Sequence, residues 1–312
     1  MMISDRFTNF ASSMIANTDQ TLSVPQSFAL KARAYFELLK FRLSFLVTFS
    51  SGMAYALAAG SSLNWNNFLW FCLGGFLVSG ASVTINQIIE WEYDARMERT
   101  KNRPIPTNRI NPNEALSFSL IIGLIGLSII SLFANPFTAI LSLISLLLYS
   151  FVYTPLKRVG PIAVFVGAIP GAFPPLLGWV AATGVISLEA LILFGIQFVW
   201  QFPHFWAIAW VADDDYKKAG FKLLPSGGGK DLSTAIQIMV YTLFLLPMGL
   251  LPSFFGITGI TSAFVSVLCG VLFLSQTFLL MKDCSKKSAL KIMYGSFLYL
   301  PIVQIAYLLD KA

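Results

Sequence analysis

Residues 68–106 read FLWFCLGGFLVSGASVTINQIIEWEYDARMERTKNRPIP, an apolar run that gives way to acidic and then to basic residues. A helix of roughly 20 apolar residues is long enough to cross the hydrocarbon core of a membrane. Asn86, Glu90 and Asp94 recur at every fourth position, and this spacing keeps them along one helix face. The stretch predicts a membrane helix whose polar end presents an amide and two carboxylates to one site.

The rest of the chain repeats this apolar pattern. Its 312 residues are 56% hydrophobic and 12% charged, against about 25% charged in soluble domains, which excludes a soluble enzyme, a disordered chain and a nucleic-acid-binding module. We expect an all-α, multi-pass membrane protein whose helices continue through their internal prolines. The predicted spans are 43–60, 67–85, 115–134, 137–154, 161–181, 188–210, 234–252, 256–281 and 291–309.

The charges distinguish the two membrane faces. With these spans, 20 of the 21 Lys and Arg residues fall on one face, and only Lys311 falls on the other. This bias predicts a cytoplasmic N-terminus and an outside C-terminus. The membrane is expected to be a bacterial inner membrane. Thirteen of the 15 acids share the basic face, which the positive-inside bias does not explain. Residues 1–34 are interpreted as a polar, mobile tail and 35–312 as the membrane domain.

A second acidic cluster, WVADDDYKKAG at 210–220, follows another apolar run and is again followed by bases. Consecutive aspartates at a membrane helix end are costly unless they are hydrated or bind metal. Two such clusters on one face suggest two Mg2+ ions that hold a diphosphate. The competing interpretation is a pair of solvated helix ends whose acids bind neighbouring arginines.

Basic residues suited to phosphate oxygens lie beside both clusters and in YTPLKR at 153–158. Anchoring of the loops at the membrane surface is an equally good interpretation of Lys157 and Arg158. His204 is the single histidine and lies inside the sixth span. Such a residue is a candidate for metal binding or proton transfer, with packing as the alternative.

Four stretches together resemble a known family: MERTKNRPIP at 97–106, YTPLKR with GAIPGAFPPLLGW after it, FPHFW at 202–206 and DDDYKKAGFKLLP at 213–225. They are similar to the intramembrane aromatic prenyltransferases of the UbiA superfamily, and within it to the branch that farnesylates heme. The resemblance runs in order from about residue 35 to the C-terminus.

The resemblance implies nine transmembrane helices around a central cavity with a polar cap on the cytoplasmic side. It implies transfer of the farnesyl group of farnesyl diphosphate to a vinyl group of heme B, with addition of water. The product would be heme O for heme-copper oxidase assembly. Mg2+ is the implied cofactor and heme B a substrate. The implied partners are membrane lipid and heme A synthase or oxidase-assembly proteins, with no nucleic acid.

The same resemblance assigns roles to individual residues. Asn86, Glu90, Asp94, Asp214 and Asp215 are the expected catalytic residues, and metal would be bound by Glu90, Asp94, Asp213, Asp214 and Asp215. Substrate would contact Arg99, Lys101, Arg103, Lys157, Arg158 and, on the heme side, His204. Glu90 stands where the superfamily usually has aspartate, and its extra methylene still permits metal ligation.

The residues also allow other functions. The acceptor could be a quinone precursor or a chlorophyll-type ring. The chain could instead transport an anionic lipid or metabolite, or serve as a structural partner of an oxidase. Acidic clusters at helix ends on one face favour an enzyme, since transporter sites lie near the bilayer midplane.

Overall fold

Long helices account for most of the computed structural model, which describes residues 28–225 and 229–312. In chain order they are α1 Phe28–Leu38, α2 Phe41–Ala59, α3 Trp65–Asp94, α4 Pro112–Phe133, α5 Pro136–Leu147, α6 Ile162–Thr183, α7 Leu188–Val211, α8 Asp213–Lys218, α9 Leu232–Phe254, α10 Ile260–Asp283 and α11 Lys286–Leu309. A π-helical turn, Leu148–Tyr153, and the short segment Thr154–Leu156 continue α5. Most of the predicted tail lies outside the described residues.

Nine helical segments in the described parts of the chain are long and apolar enough to cross a membrane, so the predicted all-α, multi-pass fold is confirmed. The largest boundary difference is in α3, which runs to Asp94 rather than ending near residue 85. The helix continues because its polar end, including Asn86 and Glu90, is buried by neighbouring segments rather than released into water.

Side-chain caps fix where several helices begin. Asn111 and Asn135 accept hydrogen bonds from backbone N–H groups of α4 and α5, and a proline follows each of them at the first helical position. Asp231 caps α9 in the same way through the N–H of Thr234. These caps satisfy donors that the helices themselves leave unpaired, and proline there sacrifices no hydrogen bond.

Small residues allow the helices to approach closely. A Cβ on Gly126 of α4 would lie 2.8 Å from the carbonyl oxygen of Gly74 in α3. A Cβ on Gly178 of α6 would overlap the carbonyl of Ser51 in α2. Backbone contact of this kind is typical of helix pairs in membranes, where packing replaces the hydrophobic drive. Large apolar side chains such as Leu124, Leu132 and Phe264 are exposed, as expected of a surface that faces lipid.

The prolines inside the spans do not end their helices, as predicted. Pro175 has no N–H to bond the carbonyl of Gly171, four residues earlier in α6. The side-chain amides of Gln197 and Gln201 in α7 donate to that oxygen instead, at 2.8 and 2.9 Å. The buried glutamines of α7 therefore compensate for the proline of α6.

On the face opposite the charged one, Asp310, Glu189 and Lys311 lie at the ends of helices. Asp310 accepts a 2.6 Å hydrogen bond from the backbone N–H of Ser262 in the first turn of α10. Glu189 lies in the first turn of α7, where a negative charge is favoured by the helix dipole. Lys311 donates to the carbonyl of Ala58 near the end of α2. These three residues therefore have structural roles.

Candidate active site

A cavity of about 120 Å3 lies at the charged end of the bundle. Carboxylates, cations and aromatic rings all contribute to its wall. The lining residues are Lys40, Asn86, Glu90, Asp94, Met97, Arg99, Arg103, Tyr149, Lys157, Tyr216 and Phe221. A cavity that holds four cations and two carboxylates is suited to an anion and a cation bound together.

One face of α3 forms the acidic side of this cavity. Asn86, Glu90 and Asp94 follow one another along the helix, and each is at most 4% exposed. The helical spacing thus places an amide oxygen and two carboxylates on the same wall. These are the hard oxygen ligands that Mg2+ prefers.

Each of these groups has a basic neighbour. Arg103 forms an ion pair with Asp94, and Lys157 lies 2.9 Å from the carboxylate of Glu90. Lys40 donates weakly to the Asn86 side-chain oxygen at 3.5 Å, while the amide nitrogen of Asn86 donates to Thr154 at 3.0 Å. Both carboxylates are therefore paired within the protein, while the basic side chains of the cavity outnumber the acidic ones.

The π-helical turn after α5 positions the opposite wall. A π-helical turn accommodates an extra residue and rotates the residues after it, and such turns are frequent at functional sites. The ring of Tyr153 fits against Gly167 of α6, where a Cβ would overlap it. Lys157, one turn later, lies 4.8 Å from that ring and reaches Glu90 with only 12% of its side chain exposed.

The segment between α3 and α4 folds back over the cavity. The hydroxyl of Thr100 donates to the carbonyl of Asp94 at 2.9 Å, which turns the chain at the end of α3. Arg99 and Arg103 consequently line the cavity. Lys101 pairs with Glu98 and is 46% exposed. It therefore lies on the outer side of this segment.

The second acidic cluster is not part of the described cavity lining. The carboxylate of Asp215 accepts hydrogen bonds from the backbone N–H groups of Glu98 and Arg99, at 3.3 and 3.0 Å. Asp213 pairs with Lys217 and Lys230, and Asp214 pairs with Lys230 while 74% of its side chain is exposed. Asp215 thus secures the segment that carries Arg99, while Asp213 and Asp214 form ion pairs with lysines.

Arg158, a predicted phosphate contact, is directed elsewhere. Its guanidinium donates to the carbonyl of Ile89 at 3.1 Å and lies 4.3 Å from the ring of Tyr93. It therefore joins the segment after α5 to the outer surface of α3. The adjacent Lys157 is the member of the pair that lines the cavity.

His204 lies deeper, between α7 and α11. Its Nδ1 is 2.8 Å from the hydroxyl of Ser296, and its ring stacks on Trp200 with centroids 4.3 Å apart. The neighbouring Phe205 contacts Tyr153 at a centroid distance of 6.4 Å. A series of aromatic rings therefore connects the wall of the charged cavity to His204.

Lys40 and the tyrosines of the wall were not singled out from the sequence. Lys40 precedes the first apolar span and adopts a left-handed backbone conformation, with φ of 45°, which costs an L-residue about 1 kcal/mol. A lone lysine at the start of a span is typical of membrane anchoring. Tyr153 is the first residue of YTPLKR and Tyr149 lies one turn before it, but neither gave a signal of its own.

The pKa values of the two lysines in the cavity are shifted in opposite directions. Burial, together with the nearby Arg103 cation, holds the pKa of Lys40 well below its usual range. Burial would also lower the pKa of Lys157, but the Glu90 carboxylate beside it outweighs this effect, so the pKa of Lys157 is raised. Lys157 is therefore held charged, whereas Lys40 gains from an added anion.

The donor set fits Mg2+ bound together with an anion. Among residues 28–225 and 229–312, no three His, Cys, Asp or Glu side chains form a ready-made metal cluster. The amide oxygen of Asn86 and the carboxylates of Glu90 and Asp94 nevertheless share one small chamber with four cations. A diphosphate would draw those cations away and free the carboxylate oxygens for metal.

Comparison with known proteins agrees with this geometry. Residues 45–300 match the UbiA prenyltransferase family. Protoheme IX farnesyltransferase of Cytophaga hutchinsonii is 55% identical over 91% of this chain and 99% of its own length. The protein of the same name from Flavobacterium psychrophilum is 46% identical over 88% of this chain and 93% of its own length.

Solved structures share the fold. A structure of digeranylgeranylglyceryl phosphate synthase in membranes superposes with a TM-score of 0.74 at 24% identity, covering 90% of this chain and 98% of that one. A UbiA homolog from Archaeoglobus fulgidus bound to GPP and Mg2+ gives a TM-score of 0.63 at 13% identity, covering 88% and 99%. At these identities the likeness is one of architecture.

Proposed function

Because this chain belongs to the UbiA prenyltransferase family, we propose that it transfers the farnesyl group of farnesyl diphosphate to a vinyl group of heme B, giving heme O. The relatives that share its sequence over nearly their whole length are named protoheme IX farnesyltransferases. The observation that carries the proposal is the charged cavity, which joins an aromatic wall inside a bundle of membrane-spanning helices.

The diphosphate would occupy that cavity. Arg99, Arg103, Lys40 and Lys157 supply the cations, and arginine in particular can bind two phosphate oxygens at once. Asn86, Glu90 and Asp94 would hold Mg2+, which when bound neutralises charge on the leaving group. Binding exchanges partners, since Arg103 and Lys157 leave Asp94 and Glu90 as they take up phosphate oxygens.

The farnesyl chain would extend from the cavity into the apolar bundle. As the bond between the allylic carbon and the diphosphate oxygen breaks, positive charge would develop beside the ring of Tyr149, which lines the cavity, and near Tyr153, which packs on Tyr149. The π faces of such rings favour a cation. Phe202 and Trp206 pack against Tyr241 of α9. The surrounding helices keep bulk water away from the reactive carbon.

The acceptor supplies the electrons for the new bond. A vinyl carbon of heme B attacks the allylic carbon, which leaves a cation on the porphyrin substituent. One water adds to that cation and releases a proton, so the product carries a hydroxyl group. His204 contacts Phe205, which in turn contacts Tyr153. We place the porphyrin against His204.

We also propose an orientation for the multi-pass protein. The cavity lies on the face to which the predicted spans assign 20 of the 21 basic residues, and the positive-inside bias assigns that face to the cytoplasm. The N-terminus would be cytoplasmic and the C-terminus outside, in a bacterial inner membrane. Heme A synthase or oxidase-assembly proteins would take up the product.

The test is conversion by the full-length protein in membranes. Heme B, farnesyl diphosphate and Mg2+ are added, and extracted pigments are examined by mass for heme plus farnesyl plus water. We expect this product, its loss with a chelator and its return with excess Mg2+. A parallel reaction offers an aromatic quinone precursor. If the quinone precursor is prenylated while heme B is left unchanged, the acceptor is the quinone precursor and the proposal of heme B is wrong.

A further inference from the structure

The hydrogen bonds around Ser296 determine which nitrogen of His204 carries its proton. The Ser296 hydroxyl lies 2.6 Å from the carbonyl of Met293 and 2.8 Å from His204 Nδ1. A carbonyl oxygen cannot donate, so the single hydroxyl hydrogen must point at Met293. The hydroxyl oxygen is then an acceptor towards the ring, and Nδ1 carries the hydrogen.

A second contact fixes the plane of the same ring. The indole N–H of Trp200 donates to the backbone carbonyl of Ser296 at 3.0 Å. The Trp200 ring in turn stacks on His204, with an interplanar angle of 17°. Ser296 therefore holds the imidazole directly through its side chain and indirectly through its backbone.

The other contacts of the imidazole are apolar. Phe205 and Phe297 meet it edge to face, at centroid distances of 5.5 and 5.0 Å. Such surroundings disfavour an imidazolium ion, so the ring is neutral with its proton on Nδ1. Nε2 then carries a lone pair. A neutral imidazole with Nδ1–H bonded to a fixed acceptor is the form in which histidine binds iron.

We propose that Ser296 is a positioning residue for heme B: its hydroxyl holds His204 as the Nδ1–H tautomer, so that Nε2 presents its lone pair to the porphyrin iron. The inference rests on the proposed function, because that function makes heme B the acceptor. The inference names Nε2 of His204 as the atom that binds the iron and Ser296 as the residue that orients the imidazole.

The position of His204 suits this role. Phe205, the next residue, contacts Tyr153, and Tyr153 lies 4.8 Å from Nζ of Lys157 in the charged cavity. A porphyrin held at His204 would thus lie next to the aromatic pair Phe205 and Tyr153, which extends from His204 to the diphosphate cavity. The allylic carbon would meet the vinyl group along this wall.

Heme binding by the purified full-length protein tests the proposal without any transfer reaction. Ferrous heme B is titrated into protein in lipid nanodiscs, and absorption and the iron–histidine stretching band are recorded. We expect a histidine-type spectrum in the wild type, its loss in His204→Ala and its return when imidazole is added to that variant. An unchanged spectrum in His204→Ala would overturn the proposal.

Ser296→Ala separates positioning from packing. We expect heme to bind roughly 10- to 100-fold more weakly and the iron–histidine band to shift to lower frequency, because Nδ1–H has lost its acceptor. Ser296→Thr, which keeps the hydroxyl, should restore the band. Ser142→Ala is the matched control: that buried hydroxyl donates to the carbonyl of Thr138 within its own helix at 2.8 Å, so heme binding should not change. An unshifted band in folded Ser296→Ala would refute the role of Ser296.

Failure of the inference and failure of the proposed function give different results. If the wild type converts heme B to the farnesylated product while His204→Ala keeps the wild-type spectrum, the function stands and the inference falls. If histidine ligation is seen but no product forms with farnesyl diphosphate and Mg2+, the proposed transfer falls and the heme site stands.

Discussion

The carboxylate of Glu90 in α3 lies 2.9 Å from Nζ of Lys157, which follows α5. Both side chains are largely buried, so removal of either partner leaves a charge without compensation. We expect Glu90→Gln and Lys157→Gln each to destabilise the fold by about 3 kcal/mol and to abolish transfer. Thermal unfolding in detergent and product formation measure the two effects.

The double variant provides the control for that pair. Glu90→Gln with Lys157→Gln should recover most of the stability, since no charge is left unpaired, yet remain inactive. Recovery of transfer in the double variant would show that the two residues serve the fold alone.

Asp215 should affect substrate binding through the segment it holds. Because its carboxylate accepts from the N–H groups of Glu98 and Arg99, Asp215→Asn weakens the placement of Arg99. We expect KM for farnesyl diphosphate to rise roughly tenfold, corresponding to the loss of one charge-assisted hydrogen bond, with a smaller change in kcat. The exposed Glu92→Gln is the control. A fall in kcat with a raised Mg2+ requirement would instead indicate a metal ligand.

Lys40 should make diphosphate binding sensitive to pH. Its pKa is held well below the usual range, chiefly by burial, so the side chain loses its proton at a lower pH than an exposed lysine does. Affinity for farnesyl diphosphate should therefore fall as the pH rises. Lys40→Arg, which remains charged, should move this fall to higher pH, while Lys222→Arg should not. Identical pH profiles of KM in all three proteins would contradict the prediction.

Contact between α2 and α6 should limit stability. A Cβ on Gly178 would overlap the carbonyl of Ser51, whereas a Cβ on Gly75 of α3 would have nothing within 4 Å. We expect Gly178→Ala to cost about 1–3 kcal/mol or more and Gly75→Ala to be neutral or stabilising. Midpoints of thermal unfolding in one detergent compare the two, and equal midpoints would refute the packing argument.

Local spacing was sufficient to predict one wall of the cavity. The positions of Asn86, Glu90 and Asp94 on one face of α3 follow from the helix period, whereas their burial comes from the segments that pack around the end of α3. The nine spans followed from hydropathy for the same reason. The order of residues along a single helix determines these features.

The other wall depends on contacts that spacing does not contain. Lys40 reaches the cavity from the start of α2 through a left-handed backbone, and Lys157 through the π-helical turn after α5. That Asp213, Asp214 and Asp215 form a second metal site stays a prediction, since it rests on their composition and on the family resemblance. In the fold, short loops pair those aspartates with lysines and with backbone N–H groups, and this use of their charge is decided by tertiary structure.

The few ionic residues on the face opposite the cavity are occupied at helix ends. Lys311 bonds the end of α2, and Asp310 and Glu189 lie at the starts of α10 and α7. Among residues 28–225 and 229–312, the charged groups that are placed to guide a pyrophosphate by-product therefore lie at the end of the bundle that holds the diphosphate cavity. Turnover would then involve one aqueous compartment: pyrophosphate would leave on the side from which the diphosphate entered, while the farnesyl chain and the porphyrin would move within the membrane.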